Sequence, residues 1–133
     1  MTSAANPLSL LLVEPAFVLR RTVTVTARSL QMADVQEAMS VPAGLRMMQA
    51  TRFDGLLLAV PVNDESFTML QYVREGRTKC AADVPIALML DQCAPDDVRR
   101  LRSYHLHRIL LKPYKVKSVL EVVASIGAHP VAA

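Results

Sequence analysis

The sequence predicts an α/β domain in which helices cover both faces of a five-stranded parallel sheet. The first observation is the run from Phe53 to Val60, which is too short for a helix and too apolar for a strand with one face in water. The second is that four further strand-like segments alternate with segments whose apolar residues recur at helical spacing. Because strand–helix–strand connections are right-handed, such a chain places helices on both faces of one sheet.

Composition limits the class of protein further. The 133 residues suit one domain, and a hydrophobic share of 52% without Trp predicts an aliphatic core. The net charge of +3 is too small to indicate nucleic acid by itself, and no apolar stretch approaches the ~20 residues that span a bilayer. Cys80 and Cys93 have neither metal-ligand spacing nor a disulfide framework, so we expect reduced thiols and a cytoplasmic location.

Prolines mark off the predicted strands, which are residues 8–13, 34–39, 53–60, 84–90 and 108–111. Glu14-Pro15 ends the first strand, Pro85 opens the fourth and Lys112-Pro113 ends the fifth, since proline cannot continue a ladder inside a sheet. The second strand alternates only weakly, so we expect it at the edge of the sheet.

The first helix is predicted over residues 16–31. Its stripe of apolar residues at helical spacing consists of Leu19, Val23, Ala27 and Leu30. The alternating β-branched segment from Thr22 to Thr26 also fits a strand. Helix is preferred because the stripe extends beyond that segment.

Capping residues place the other helices. Ser40 is predicted to cap the second helix, which runs to about Thr51, and either Asp64 or Ser66 is predicted to cap the third. Gly76 suits the C-terminal end of the third helix. The fourth helix starts at Pro95 with two acids on its positive end and buries Val98 and Leu101. The stripe of the fifth helix is Val116, Val119, Leu120 and Val123.

Three motifs, in this order and spacing, resemble those of bacterial response-regulator receiver domains, the CheY-like domains. They are Phe53-Asp54 opening the third strand, Val84-Pro85-Ile86 opening the fourth, and Lys112-Pro113-Tyr114 after the fifth. The resemblance covers about residues 8–126. It implies a flavodoxin-like (βα)5 three-layer sandwich with strand order 2-1-3-4-5. It also implies that residues 1–133 form a single domain without an output domain.

The resemblance implies a phosphorylation site at the carboxyl edge of the sheet. In such domains an aspartate ending strand three takes a phosphoryl group, and an acid pair after strand one holds Mg²⁺. A Ser or Thr ending strand four and a Lys after strand five bind phosphoryl oxygens, and an aromatic in strand five switches rotamers. The matching positions here, in that order, are Ala59, Glu14 with Pro15, Leu90, Lys112 and Ile109.

At most of those positions, the side chain present cannot take part in phosphoryl transfer or Mg²⁺ binding. A methyl group cannot attack a phosphoryl donor, leucine cannot hydrogen-bond the product, and a single carboxylate holds Mg²⁺ poorly. We therefore expect a pseudo-receiver that lacks the phospho-acceptor, is not an enzyme, has no cofactor and binds Mg²⁺ weakly or not at all.

Other charged residues leave alternatives open at the same edge. Asp54 opens the third strand, roughly 16 Å from Ala59 at ~3.3 Å per residue, so it lies at the wrong edge. Asp64, Glu65 and Asp91 form either a displaced metal site or, as the sequence favours, helix caps and solvated loop acids. Lys112 either keeps a residual anion site or, as a partly buried ammonium needs a partner, pairs with Glu14.

A cluster of arginines is the second candidate site. It consists of Arg99, Arg100, Arg102 and Arg108. The cluster is either a solvated helix face or a binding surface, because arginine suits phosphate and carboxylate recognition. As the resemblance implies, the face formed by the fourth helix, fifth strand and fifth helix meets partners or a second copy. The cluster could instead bind a nucleotide such as a cyclic dinucleotide. Nucleic acid is disfavoured because no aromatic stacking platform accompanies the charge.

These expectations combine into one functional hypothesis. The chain is expected to be an atypical stand-alone receiver domain of two-component-type signalling. It would act without phosphorylation, by contact with a kinase or output regulator or as a homodimer, and not in a membrane. The alternatives are a nucleotide-binding module that uses the arginines and a phosphorelay receiver with a relocated acid.

Overall fold

The computed structural model describes residues 8–128, which fold into alternating strands and helices. The strands are β1 (Ser9–Val13), β2 (Asp34–Ala38), β3 (Gly55–Leu58), β4 (Ile86–Leu90) and β5 (Arg108–Leu111). The helices are α1 (Phe17–Ser29), α2 (Val41–Ala50), α3 (Asp64–Arg74), α4 (Pro95–Arg102) and α5 (Val116–Gly127). Helix is therefore correct for the segment from Thr22 to Thr26, where a strand was the alternative.

The strands form one parallel sheet in the predicted order β2-β1-β3-β4-β5. Side chains of β1, β3 and β4 point alternately into two separate apolar clusters. One cluster is covered by α2, α3 and α4, and the other by α1 and α5. The flavodoxin-like three-layer sandwich is thus confirmed, with the three central strands buried on both faces as their apolar runs predict.

The central strand is shorter than its apolar run. β3 covers Gly55 to Leu58, whereas the prediction was residues 53–60. Phe53, Ala59 and Val60 are buried but lie outside the strand, because burial continues where regular pairing has ended. Ala59 still donates its N–H to the Val13 carbonyl at 2.7 Å. The run therefore predicts burial more accurately than it predicts strand length.

Helix ends confirm one predicted cap and correct another. The Ser40 hydroxyl accepts from the Ala43 N–H, as a cap of α2 should. The caps proposed for α3 at Asp64 or Ser66 are wrong, because the Asn63 side chain accepts from the Ser66 N–H at 3.0 Å. Asparagine is among the best capping residues, and Asp64 then favours the first turn by its charge.

Two predicted core positions are also corrected. Leu30 lies at the C-cap of α1 and is 61% exposed, so the buried stripe of that helix ends at Ala27. Val98 is only half-buried, which leaves Leu101 as the one fully buried residue of α4. The short fourth helix is therefore the least embedded of the five.

Arg74, in the last turn of α3, ties three segments together. Its guanidinium group donates to the carbonyl oxygens of Tyr104 at 2.6 Å, Ala82 at 2.8 Å, Val84 at 2.8 Å and His105 at 3.2 Å. The first and last of these carbonyls belong to the α4–β5 loop, and the other two precede β4. Gly76 follows with φ +73°, the left-handed conformation that the sequence predicts after this helix.

Two further expectations concern cysteines and membranes. Cys80 is a buried free thiol and Cys93 is a half-buried one. Across residues 8–128, no helix combines the length and the apolar character needed to cross a membrane.

Candidate functional site

The predicted site positions meet at the carboxyl edge of the sheet. Val13 pairs with Leu58, so Glu14 and Ala59 follow two neighbouring strands. Leu90 pairs with Leu111, and its carbonyl accepts the Lys112 N–H at 2.7 Å. Glu14, Ala59 and Leu90 are all nearly inaccessible to solvent. The fold therefore brings Glu14, Ala59, Leu90 and Lys112 to one edge, since the carboxyl ends of parallel strands meet there.

Both oxygens of the buried Glu14 carboxylate accept a hydrogen bond from the chain itself. One oxygen accepts the Tyr114 hydroxyl at 2.8 Å, and the other accepts the Ala16 N–H at 3.0 Å. The Glu14 backbone carbonyl accepts a hydrogen bond from Nη1 of the buried Arg20 at 2.8 Å. Glu14 is only 1% exposed. Buried carboxylate oxygens require such donors, and here Tyr114 and the α1 entry provide them.

The predicted ion pair between Lys112 and Glu14 is wrong. Lys112 Nζ instead lies 3.6 Å from Asp91 Oδ1, near the surface. The physical reason is that Tyr114 already satisfies Glu14, while the partly exposed Lys112 ammonium keeps water and Asp91 as partners. Asp91 is an exposed acid in the loop after β4, as expected, and Lys112 is its partner there.

Arg20, which donates to the Glu14 carbonyl, also belongs to a network of ion pairs that was not predicted from the sequence. Arg20 Nε donates to Glu37 of β2 at 2.9 Å, and Arg21 contacts the other oxygen of Glu37. The Arg20 guanidinium also lies 5.5 Å from the centre of the Phe17 ring. The signal for this network is an arginine directly beside the apolar stripe of α1, too close to the core to remain solvated.

The residues at this edge do not fit Mg²⁺. The ion prefers six oxygen ligands in near-ideal octahedral geometry, usually including carboxylates and phosphate oxygens. Ala59, Pro15 and Leu90 offer no side-chain oxygen, and both Glu14 oxygens are engaged. Asp64 and Glu65 are exposed in the first turn of α3. Throughout residues 8–128, no group of three or more His, Cys, Asp or Glu side chains is placed to hold a metal.

The arginine cluster is only partly available for binding. Arg99 pairs with Asp96 one turn earlier, and the Arg100 guanidinium lies 3.6 Å from the centre of the Phe67 ring. Arg102 and Arg108 are exposed. All four predicted arginines are therefore exposed, and two of them also have contacts within the chain.

Ile109, where the resemblance predicts a switching aromatic residue, lies on the edge strand β5. It pairs with Leu88 of β4 and is 38% exposed. An isoleucine has no ring that could exchange between an inward and an outward rotamer.

The Tyr114 hydroxyl connects the loop after β5 to Glu14, and loss of this hydrogen bond should lower the stability of the protein measurably. Tyr114→Phe is expected to lower the free energy of unfolding at pH 7 by about 1.5–3 kcal/mol, the range for hydrogen bonds to charged groups. Burial first, and then the hydrogen bond and charge of Glu14, raise the Tyr114 pKa. The native state thus retains a proton that the unfolded chain releases near pH ~10.

The sign of the pH dependence follows from that raised pKa. The stability that Tyr114 contributes is complete below pH ~10 and is lost as the pH rises further. Urea titrations at several pH values measure the free energy of unfolding of the wild type and of Tyr114→Phe. The difference between these two free energies should decrease above pH ~10. A gap that stays constant up to strongly alkaline pH would contradict the buried Tyr114–Glu14 hydrogen bond.

Several solved structures share this architecture. The HemR receiver domain from Leptospira biflexa superposes with a TM-score of 0.80 at 16% identity, covering 95% of this chain and 98% of that one. A CheY-like receiver domain protein from Methanospirillum hungatei gives a TM-score of 0.75 at 13% identity, covering 92% and 95%. The receiver domain of a sensor histidine kinase from Pseudomonas aeruginosa, with magnesium in its active-site cleft, gives a TM-score of 0.70 at 22% identity. That match covers 92% of this chain and 99% of the other.

These likenesses identify the fold. The chain has the CheY-like fold of response-regulator receiver domains over nearly its whole length. No protein-family model matches the sequence, and no curated protein sequence matches it.

Proposed function

We propose that the protein is a receiver-fold signalling module that works without aspartyl phosphorylation, through contact with a protein partner. The observation that carries the proposal is the state of the carboxyl edge. A methyl group, Ala59, stands at the end of the central strand, and both oxygens of the neighbouring Glu14 are engaged by Tyr114 and Ala16.

Phosphoryl transfer to such an edge lacks its chemical requirements. It needs a nucleophile in line with the donor and cations that neutralise the charge developing on the transferred group. Ala59 supplies no nucleophile. Glu14 is 1% exposed and both of its oxygens already accept a hydrogen bond, so it offers Mg²⁺ no accessible carboxylate. Lys112 remains as a cation, but Asp91 lies beside it.

The alternatives receive less support from the same contacts. A relocated phospho-acceptor would have to be Asp64, Glu65 or Asp91, and within residues 8–128 none of them belongs to a group of three or more side chains that could hold Mg²⁺ beside it. A nucleotide site would draw on Arg99 and Arg100, which already contact Asp96 and Phe67. A kinase or output regulator is the class of partner that we propose, in the cytoplasm and without a cofactor.

The proposal predicts that a small-molecule phosphodonor with Mg²⁺ leaves the protein unmodified. Intact-mass measurement should show no added phosphoryl group, and calorimetry should show the same weak or absent heat of Mg²⁺ binding for the wild type and Glu14→Gln. The magnesium-binding Pseudomonas aeruginosa receiver domain is the positive control. A stoichiometric acid-labile adduct, or Mg²⁺ binding that Glu14→Gln abolishes, would refute the proposal.

A further inference from the structure

The residues of α1 that point away from the sheet are uncharged and partly apolar. They are Val18, Thr22, Val25 and Ser29, which share one face at helical spacing, and all four are exposed. Val18 is 74% exposed and Val25 is 49% exposed. Four of the seven large apolar side chains exposed within residues 8–128 belong to α1 and its C-cap. The four outward residues are called the α1 seam below.

The composition of the α1 seam suits a packed contact better than water. Valine and threonine have lower helix propensity than the charged residues that usually cover a solvated helix face. Their β-branched side chains are stiff, so they lose little rotamer freedom when they are buried. The Thr22 hydroxyl donates to the Val18 carbonyl at 2.7 Å, so burial of Thr22 would leave no hydroxyl without a partner.

The exposed arginines of α1 lie beside the α1 seam and have acidic partners on β2. Arg21 contacts Glu37, and Arg28 Nη2 lies 3.4 Å from Asp34 Oδ1. Glu37 and Asp34 both belong to β2. The α1 seam is therefore bordered on that side by pairs of opposite charge, and an identical surface could approach it without opposing rows of cations.

The α1 seam is also symmetric when the helix direction is reversed. Positions 18, 22, 25 and 29 have the i, i+4, i+7, i+11 spacing of a coiled-coil seam. When two copies of α1 pack antiparallel about a two-fold axis, Thr22 of each copy meets Val25 of the other, and Val18 meets Ser29. A two-fold contact uses the same patch on both copies, so the patch has to be self-complementary. The α1 seam meets that requirement.

We infer that the α1 seam binds a second copy of this chain, so that the two α1 helices form an antiparallel pair. The inference goes beyond the proposed function and does not depend on it, because this contact involves no residue of the carboxyl edge. The 13 residues of α1 span about 20 Å at ~1.5 Å per residue. A contact of that length buries less than the roughly 1,200 Å² of the smaller stable interfaces. The dimer is therefore weak, with a Kd on the order of 100 μM.

The other exposed apolar surface suits a second copy less well. Ile109 and Leu111 of β5 are exposed, but exposed cations accompany them on α4, β5 and α5, namely Arg102, Arg108 and Lys117. A two-fold contact there would place these cations against their own copies, and such like-charge contacts are costly. The resemblance links that surface, and not α1, to a second copy, so variants of the two surfaces give different results.

The test is the oligomeric state of the full chain as a function of its concentration. Sedimentation equilibrium between about 10 μM and about 1 mM is expected to show a monomer–dimer equilibrium. Association should persist when salt is added, because the contact is apolar and salt screens only charges. In NMR spectra of the same samples, amides of α1 should shift with concentration, and amides of β5 should not.

Charge placed near the two-fold axis tests the geometry of the contact. Val25→Lys should weaken self-association at least about tenfold, and so should Val25→Glu, because equal charges then face each other. An equimolar mixture of the two variants should associate at least about tenfold more tightly than either alone, because opposite charges then meet. The matched control is Leu111→Lys on β5, which should leave association unchanged. Circular dichroism and thermal unfolding establish that each variant remains folded.

Several results would overturn the inference. A chain that stays monomeric at about 1 mM would show that the α1 seam does not bind a second copy. A dimer that survives Val25→Lys, or one that Leu111→Lys dissociates, would place the contact elsewhere. A mixture that associates no more tightly than the separate variants would exclude the antiparallel pair. The phosphodonor experiment decides separately whether the proposed function fails.

Discussion

Replacing Arg74 with methionine is expected to lower the free energy of unfolding by about 4 kcal/mol, because hydrogen bonds to a charged group contribute about 1.5–3 kcal/mol each but are not additive. The guanidinium group donates to four carbonyls of two separate segments. Methionine keeps the unbranched shape and the helix propensity but leaves those carbonyls without their donor. Urea unfolding followed by circular dichroism measures the effect.

The matched control for Arg74→Met is Arg46→Met on α2. Arg46 is exposed, and the same loss of charge should change stability by less than about 0.5 kcal/mol. In addition, amide hydrogens of the α4–β5 loop should exchange faster in Arg74→Met than in the wild type. Equal stabilities of the two variants would show that Arg74 does not hold the loops together.

Gly55→Val is expected to destabilise the protein by about 3 kcal/mol, at the upper end of overpacking effects in cores. A Cβ atom at Gly55 would lie 2.8 Å from both Leu10 Cδ2 and Ile126 Cγ2. Both neighbours are themselves buried, and the Ile126 methyl group is on a branched carbon that cannot swing away. Thermal and urea unfolding would both report the loss.

Two further variants test the cause of the Gly55→Val effect. Adding Leu10→Ala should give a double variant that is more stable than the sum of the two single changes predicts, because the side chains compete for one space. Gly127→Ala should instead stabilise the protein by about 0.5–1 kcal/mol, since alanine favours helix. Its Cβ would meet only Leu8 Cδ2 at 3.7 Å. Additive behaviour of Gly55→Val and Leu10→Ala would exclude overpacking as the cause.

The sheet was predictable because each strand is a short run whose burial depends on local composition. Leu10, Leu57 and Leu88 are surrounded by other apolar residues in sequence, so their position in the core follows from pattern alone. Strand length was less predictable, since Phe53 and Val60 are buried without belonging to β3. Periodicity reports burial, and pairing partners decide where a strand ends.

The location of the candidate site residues could be predicted from the sequence, but the partners of their side chains could not. Ala59 directly follows the central strand β3, as its place at the end of an apolar run indicates. The partner of Glu14 depends on Tyr114, which is 100 residues away along the chain. An arginine such as Arg74, in the last turn of a helix, gives no local sign that it reaches two distant segments. Side-chain partners of this kind are chosen by tertiary geometry.

The position of β5 at the border of the sheet has a consequence for solubility. An outermost strand with apolar residues invites edge-to-edge pairing with other molecules and thereby aggregation. Here Arg108 and Lys112 bracket the three apolar residues of a strand only four residues long. Equal charges on approaching copies repel each other, so these two side chains act as gatekeepers. Any modification that neutralises them would remove this protection.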